Sequence, residues 1–349
     1  MAADDLQSGN KHSEDVVVPT LPKACCAPSA ARAAESTCCG AVPATDASGS
    51  PLFKKDVSEA DARRPMVSLP GGAFLMGTDY PGGFPADGEG PVRPVILSPF
   101  AIDVFPVTNE DFSAFVSATG YRTEAEKFGW SFVFWSHIPQ NRFQKLVEDT
   151  VAAAPWWCKV SGACWNHPEG PGSQIDGQQN NPVVHVSWND AASYAEWAGK
   201  SLPTEAQWEY AARGGLEQKL YPWGDELTPD GKHLCNIWQG RFPTRDTGED
   251  GYTGPSPVDA FPPNGYGLYS VTGNVWEWCA DWFQTKFSAD PAAHDPAGPA
   301  NGKKKVMKGG SFLCHASYCN RYRVGARTQN TPDSSTANIG FRCVKSLSS

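Results

Sequence analysis

The sequence predicts an α+β fold with little regular secondary structure, built mostly from loops around large aromatic side chains. Three observations carry this. The chain has 34 Gly and 30 Pro among 349 residues, so turn signals recur too often for many long elements. It has 13 Trp, large enough to pin irregular backbone. Short helical patterns with capping signals alternate with short apolar stretches that read as strands.

Charge and length bound the function. The formal net charge is −9, so bulk attraction to nucleic acid or to an anionic membrane is not expected. No run approaches the roughly 18 apolar residues that a membrane span needs. The length would allow two domains.

Residues 1–65 read as a separate, disordered leader. They are rich in Ala, Ser, Asp and Pro, and Phe53 is their one aromatic residue, which leaves little to bury. The start has no basic stretch followed by an apolar core, so a secretory signal is not expected and the chain is assigned to the cytoplasm. Cys25-Cys26 and Cys38-Cys39 are adjacent pairs and fit the usual C-x₂₋₄-C zinc spacing poorly. Thiol exchange, metal delivery and an exposed redox-prone tail are the alternatives.

Residues 67–77 alternate apolar positions around Gly71-Gly72 and predict an opening hairpin. Residues 79–90 form a Gly/Pro/Asp-rich loop, and 92–102 a strand. Thr108 and Asn109 offer N-cap oxygens to a helix over 110–119, where Phe112, Phe115 and Val116 share a face. Residues 129–177 read as irregular and aromatic, with Cys158 and Cys164 flanking a turn, either paired or filling space. A helix over 187–199 and a second one starting at the Thr204 capping box and stopping before Gly214-Gly215 are scaffold, packed on an antiparallel sheet. Residues 236–252 form a loop with several hard oxygen groups of the kind calcium takes, although solvated loop acids read the same way.

The stretch the chain is organised around is 309–341. Cys314 and Cys319 stand five residues apart, with His315 between them and Arg321, Arg323 and Arg327 after them. A five-residue step turns about 500° on a helix and ends on the opposite face of a strand, so the thiols converge only through an irregular turn. Such a turn serves a disulfide or a metal, and two soft thiolates select Cu(I) or zinc; from spacing alone, a small structural disulfide or two unrelated buried thiols reads equally well. The cationic neighbours favour thiolates, and the turn is expected to be surface-accessible. Eleven cysteines form no obvious secreted framework.

These residues closely resemble the active-site region of the formylglycine-generating enzymes, or sulfatase-modifying factors. The matching motifs are GGS at 309–311, CHxSYCxRYR at 314–323, AR at 326–327, QNTPDSS at 329–335 and GFRC at 340–343. VSWNDA (186–191), LPTEAQWEYAARGG (202–215), NIWQGRFP (236–243) and GNVWEW (273–278) extend it. The resemblance spans about residues 67–344, as one unit, and implies a single catalytic domain over 66–349 with the C-type-lectin-like fold of the sulfatase-modifying factors.

The resemblance implies copper- and oxygen-dependent oxidation of the cysteine of a C-x-P-x-R motif, in an unfolded sulfatase polypeptide, to Cα-formylglycine. A thiol reductant is implied, and a monomer is expected. Cys314 and Cys319 would hold Cu(I), and Ser311 and Trp276 would border the oxygen pocket. Trp156, Ser131, His315, Tyr318 and Arg321 would bind substrate. Trp130 stands at a position that is acidic in some relatives, which removes a polar contact to the substrate arginine. Calcium would take side chains from Asn236 and Asp250 and carbonyls from Ile237 and Tyr252. A second calcium site maps to Ser270, Gly273, Val275 and Glu277, with Ser270 departing from the usual Asn. Two disulfides of secretory-pathway relatives are missing, since Ala195, Ala212 and Val324 occupy partner positions. Cys343 is therefore an unpaired, buried thiol. The rival readings are a copper-independent thiol oxidase on the same substrate and a non-catalytic, calcium-stabilised lectin-like binding module. An iron-dependent sulfoxide synthase is discounted, because the chain has seven His and no H-x₃-H-x-E segment.

Overall fold

A computed structural model describes residues 27–29, 64–287 and 293–347. The leader cysteines Cys25, Cys26, Cys38 and Cys39 lie outside the described residues, as does most of the expected disordered leader. No helix among the described residues is long and apolar enough to cross a membrane.

The first strand, β1 (Met66–Leu69), and the second, β2 (Gly72–Met76), do not form the expected hairpin. β1 pairs with β4 (Phe100–Asp103), and β2 pairs with β3 (Arg93–Leu97). Gly71 and Gly72 do turn the chain, at φ of 68° and 100°, but the turn divides two sheets. A Cβ at Gly71 would lie 2.2 Å from the Leu97 carbonyl oxygen, so the corner is pressed onto the end of β3. The strand expected over 92–102 is likewise two strands, broken at Ser98-Pro99, where proline supplies no donor to a ladder.

The helices follow their capping signals. Thr108 caps α1 (Asn109–Thr119), Thr123 caps α2 (Glu124–Phe128), Ser187 caps α4 (Trp188–Trp197) and Thr204 caps α5 (Glu205–Arg213). Each forms a capping box, which satisfies two orphan helix donors reciprocally. Between them, the aromatic stretch expected to be irregular is a sheet. β5 (Trp130–Phe134), β6 (Val147–Val151) and β7 (Ala154–Ser161) pair antiparallel in the order β5-β7-β6, with a one-turn helix α3 (Phe143–Leu146) before β6. The chain between β6 and β7 is a tight Ala152–Ala153 turn. The alternation of Phe132 and Phe134 with Ser131 and Val133 was the available signal.

After the short pair β8 (Gly240–Arg241) and β9 (Arg245–Asp246), the chain builds the sheet that carries the site. Its order is β13-β12-β10-β14, from β10 (Trp276–Trp282), β12 (Lys305–Lys308), β13 (Thr328–Asn330) and β14 (Ile339–Gly340). β10 and β14 are parallel and the other two pairings antiparallel. Alternate residues of this sheet enter different cores. Trp276, Trp278 and Met307 join α4 residues Ala191, Tyr194 and Ala195. Cys279 and Val306 join α5 residues Trp208 and Ala211. The sheet is thus buried on both faces between the two scaffold helices. β11 (Ala293–His294) adds to β3, and β15 (Val344–Ser346) adds to β4. The result is one irregular α+β domain with short elements, as the sequence predicts.

Candidate active site

β12 delivers the chain to Gly309-Gly310, both left-handed, with φ of 92° and 76°. A Cβ at Gly310 would stand 2.8 Å from Tyr322 Cα, so only glycine lets this turn lie against the end of the cysteine block. Two stacked turns follow. Cys314 N donates to the Ser311 carbonyl (2.9 Å), and Cys319 N donates to the His315 carbonyl (2.7 Å). These turns bring the two thiols together despite a spacing that neither helix nor strand allows. Cys314 Sγ and Cys319 Sγ are 2.9 Å apart.

The turn is not surface-accessible, as expected from sequence, but buried: Cys314 is 1% exposed and Cys319 0%. Ser311 and Phe312 are tied to neighbouring segments, with Phe312 N donating to the Asn274 carbonyl (2.9 Å) and Trp238 N to the Cys314 carbonyl (3.1 Å). Around Cys314, Ser311 N points at Sγ (3.4 Å) and Ser311 Oγ lies 4.0 Å from it. Asn338 Nδ2 donates to that same hydroxyl at 2.9 Å. Trp276 is wholly buried, and its Nε1 has no hydrogen-bond partner. A buried indole N–H is expensive to leave unpaired, so an additional small polar group at this position would be stabilised.

Each of the three arginines meets a carboxylate. Arg321 pairs with Asp87 (2.6 Å), Arg323 with Glu89 (2.8 Å) and Arg327 with Glu205 (2.7 Å). Arg327 also donates to the Gln284 carbonyl (2.5 Å). They fasten the 79–90 loop and α5 to the cysteine block. Burial lowers the pKa of His315, with Asp246 opposing. Each guanidinium that the sequence set after the thiols has its own carboxylate partner. Asp87 and Glu89, two of the three acids in the Gly/Pro-rich 79–90 loop, were the readable signal.

An aromatic wall stands beside the cysteines. Tyr318 stacks on Phe242 (centroids 4.5 Å apart) and meets Trp156 edge-on at 5.1 Å. Trp156 and Trp238 both contact Phe242. Trp130 is half-buried, with the Lys159 ammonium 4.8 Å from its ring centroid. Ser131 is enclosed rather than open, bonded to the Ser335 carbonyl (2.9 Å) and to His185 Nδ1 (2.8 Å). Cys158 and Cys164 are buried and not paired with each other, and Cys164 donates to Asn166 Oδ1 (3.1 Å). Sequence reasoning did not find Asn338, Trp238 or Phe242 as parts of this site.

Two thiols this close are a soft donor set that suits Cu(I). Among the described residues, no group of three or more His, Cys, Asp or Glu side chains is arranged to hold a metal. In the 236–252 loop, Asp250 Oδ2 and the Ile237 carbonyl converge on Gln239 Nε2. Two oxygens meeting at one point fit a hard cation. Asn236 points its Nδ2 at the Gly254 carbonyl (2.9 Å), and Tyr252 N bonds Asp250 Oδ1 (3.0 Å). At the second expected calcium site, the side chains are already engaged. Glu277 takes a two-point pair from Arg342 (2.7 Å each) and a bond from Trp208 Nε1 (2.7 Å). Ser270 Oγ donates to the Val258 carbonyl, and Gly273 and Val275 have only main-chain carbonyls to offer.

Residues 52–347 match the Sulfatase-modifying factor enzyme 1-like domain family. A relative from Thermomonospora curvata, "Formylglycine-generating enzyme", is 62% identical over 299 residues, covering 84% of this chain and 98% of its own. A mouse relative, "Inactive C-alpha-formylglycine-generating enzyme 2", is 51% identical, covering 80% of this chain and 85% of its own. Among solved structures, PvdO from Pseudomonas aeruginosa superposes with a TM-score of 0.58 at 27% identity, covering 81% of this chain and 94% of its own. With the motifs, the fold and these similarities together, the chain belongs to the sulfatase-modifying factor family.

Proposed function

We propose that this protein converts a sulfatase cysteine to Cα-formylglycine. Family membership does not carry that reading alone, since an inactive relative shares half its residues. The observation that carries it is the buried Cys314–Cys319 pair at 2.9 Å beside an aromatic wall. The substrate is read as the cysteine of a C-x-P-x-R segment in unfolded polypeptide, with dioxygen as oxidant and a thiol as reductant.

Cys314 and Cys319 would hold Cu(I), which when bound would supply oxygen activation. The rest of the work falls to the chain's own residues. Trp156, Phe242 and Tyr318 give the peptide an apolar wall, suited to a proline. Their packing excludes water from the thiols, which sharpens every polar interaction within. Ser311 accepts from Asn338 and from Leu313 N, so its own proton is left to point at Cys314 Sγ. Trp276 contributes an unpaired N–H in the same enclosure. The Asp250 loop is read as a structural calcium site.

A second reading has one observation in its favour. The sulfurs need to close by only about 0.9 Å to reach the disulfide length of about 2.05 Å, so a copper-independent dithiol cycle is chemically near at hand. One experiment tests both. A synthetic C-x-P-x-R peptide is incubated with the protein, oxygen and a thiol, with and without Cu(I), and mass spectrometry scores the aldehyde. Turnover that dies under a tight Cu(I) chelator and returns with Cu(I) supports the first reading. Turnover indifferent to the chelator supports the second, and no aldehyde under any condition overturns both. A cytoplasmic setting is proposed from the missing family disulfides, with Cys343 unpaired opposite Ala195.

A further inference from the structure

A ladder of oxidisable rings runs inward towards the cysteine pair. Trp223 stacks on Tyr221, with ring centroids 5.5 Å apart and planes 15° from parallel. Tyr221 in turn stacks on Tyr322, at 6.2 Å and 12°. Burial deepens along the series. Trp223 is half-buried, its Nε1 donating to the Glu226 carbonyl (2.8 Å), while Tyr221 is 8% exposed and Tyr322 2%. The Gly310 turn that opens the cysteine block is pressed onto the Tyr322 main chain, and Tyr322 belongs to the same buried cluster as Cys314 and Cys319. Burial raises the pKa of its hydroxyl, with Tyr221, Cys314, Cys235 and Cys319 adding to the rise. The ring therefore lies within electrostatic reach of both thiols.

Stacked rings pack many loops, and geometry alone would leave these three as filling. Their chemistry says more. Each is an indole or a phenol, the two ring types that give up a single electron readily. Phenylalanine, which does not, is absent from the series. The proposed reaction also needs such a route. One cysteine, one dioxygen and two thiols give one aldehyde, one hydrogen sulfide, one water and one disulfide, so two electrons and two protons come from thiols in solution. The pair that must receive those electrons is enclosed, with Cys314 1% exposed and Cys319 0%.

We propose that Trp223, Tyr221 and Tyr322 carry single electrons from a thiol at the surface to the Cys314–Cys319 pair. This rests on the oxidation proposed above. An oxidising equivalent at the pair draws an electron from Tyr322, which is refilled by Tyr221 and then by Trp223. A thiol at the surface refills the indole and releases its proton to water. Two such events join two thiols as a disulfide. Each phenol loses its proton with its electron and regains both, so no ring is changed over a turnover.

The test uses the full-length protein with Trp223→Phe, Tyr221→Phe or Tyr322→Phe, at equal folded concentration. Phenylalanine keeps a ring in the stack but cannot relay an electron, so a packing role survives the change and an electron path does not. In the metal-free proteins, azide radical generated by pulse radiolysis oxidises tryptophan, and absorbance follows the passage of that oxidation to tyrosine. The parent should show an indole-to-tyrosyl phase whose rate is independent of protein concentration. Part of its amplitude should be lost in Trp223→Phe and Tyr221→Phe. Peptide turnover on the same proteins should show a lower kcat in all three variants with the KM for peptide unchanged. A parental radical phase in both Trp223→Phe and Tyr221→Phe overturns the ladder, whether or not aldehyde forms. A lost phase with parental kcat overturns its use in the reaction. If the parent itself makes no aldehyde, the oxidation reading fails separately, and a lost phase still supports the path.

Discussion

Asn338 donates to the Ser311 hydroxyl across 2.9 Å, from one end of the site-bearing sheet to the turn that carries Cys314. With Leu313 N also donating to it (3.3 Å), both acceptor positions of that hydroxyl are filled. Its proton is left facing Cys314 Sγ. Ser311→Ala should therefore lower turnover, by roughly tenfold to a hundredfold if the hydroxyl acts on the reacting sulfur. Asn338→Ala, which frees the hydroxyl to rotate, should lower it less. Both are compared with the parent by aldehyde formation at equal folded concentration. Parental turnover in Ser311→Ala would remove the residue from the chemistry.

The cysteines should separate into two classes. Replacing Cys314 or Cys319 with serine exchanges a soft sulfur for a hard oxygen, so Cu(I) affinity and turnover should both collapse. Cys343 is wholly buried, with its thiol pKa pushed up chiefly by that burial, and it behaves as a small apolar side chain. Cys343→Ala should cost about 1 kcal/mol of stability and leave activity per folded molecule intact. Cys158, whose thiol burial holds at about 11, should resemble Cys343. Copper titration and peptide turnover on the four variants check the ranking. A Cys319→Ser protein that binds Cu(I) and turns over like the parent would sink the dithiolate assignment.

What the sequence disclosed depended on how local the cause was. The helices α1, α4 and α5 were legible, because a capping box is written within four residues. The opening hairpin was misread, because Gly71-Gly72 announces a turn without saying which strand each side will join. In the fold the Gly71 corner lies against the Leu97 and Ser98 backbone, a contact no local pattern announces. The cysteine pair was visible as chemistry, and the resemblance gave it a role, but its surroundings were not. Arg321, Arg323 and Arg327 look cationic in a string of letters, and their charges are met by Asp87, Glu89 and Glu205, more than 100 positions away. Compensation across such distances leaves no local mark. The contact of Pro28 and Ser29 with Asn330 was missed for a related reason, since a few small residues carry no periodic signal.

Calcium is testable without reference to activity. Asp250 accepts from Ile237 N (3.0 Å), Gln239 Nε2 (2.7 Å) and Tyr252 N (3.0 Å), so its carboxylate already organises the loop. A cation bound only in the folded state stabilises by mass action, about 2.7 kcal/mol at a hundred times Kd. Exhaustive chelation should therefore lower the melting temperature by roughly 5 °C, and Asp250→Asn should abolish the response. Unchanged melting, with no calcium by elemental analysis, would leave Asp250 as a loop-ordering carboxylate and nothing more.

The last expectation concerns acid. His185 is fully buried, its Nδ1 on Ser131 Oγ (2.8 Å) and its Nε2 on the Pro168 carbonyl (2.9 Å). Burial lowers its pKa to about 4, with the Pro168 carbonyl opposing. Above pH 6.5 neither the folded nor the unfolded chain protonates it, and it has no pH effect. As pH falls through 6.5 the unfolded chain gains a proton that the folded chain refuses, so stability is lost between 6.5 and 4, by roughly 3 kcal/mol in full. Asp190 and Asp281, both raised to about 7 by burial, act in the opposite sense over nearly the same range. The pH profile of the parent alone is therefore uninformative, and the difference from a His185→Asn variant is the measurement. Asparagine tolerates the left-handed backbone at this position (φ 59°) and can keep the bond to Ser131. The variant should be less stable than the parent at pH 7.5, and the gap should shrink or invert by pH 4.5. A gap that stays constant across that range would mean that the buried imidazole takes its proton as readily as an exposed one, and the neutral His185 that braces Ser131 would be wrong.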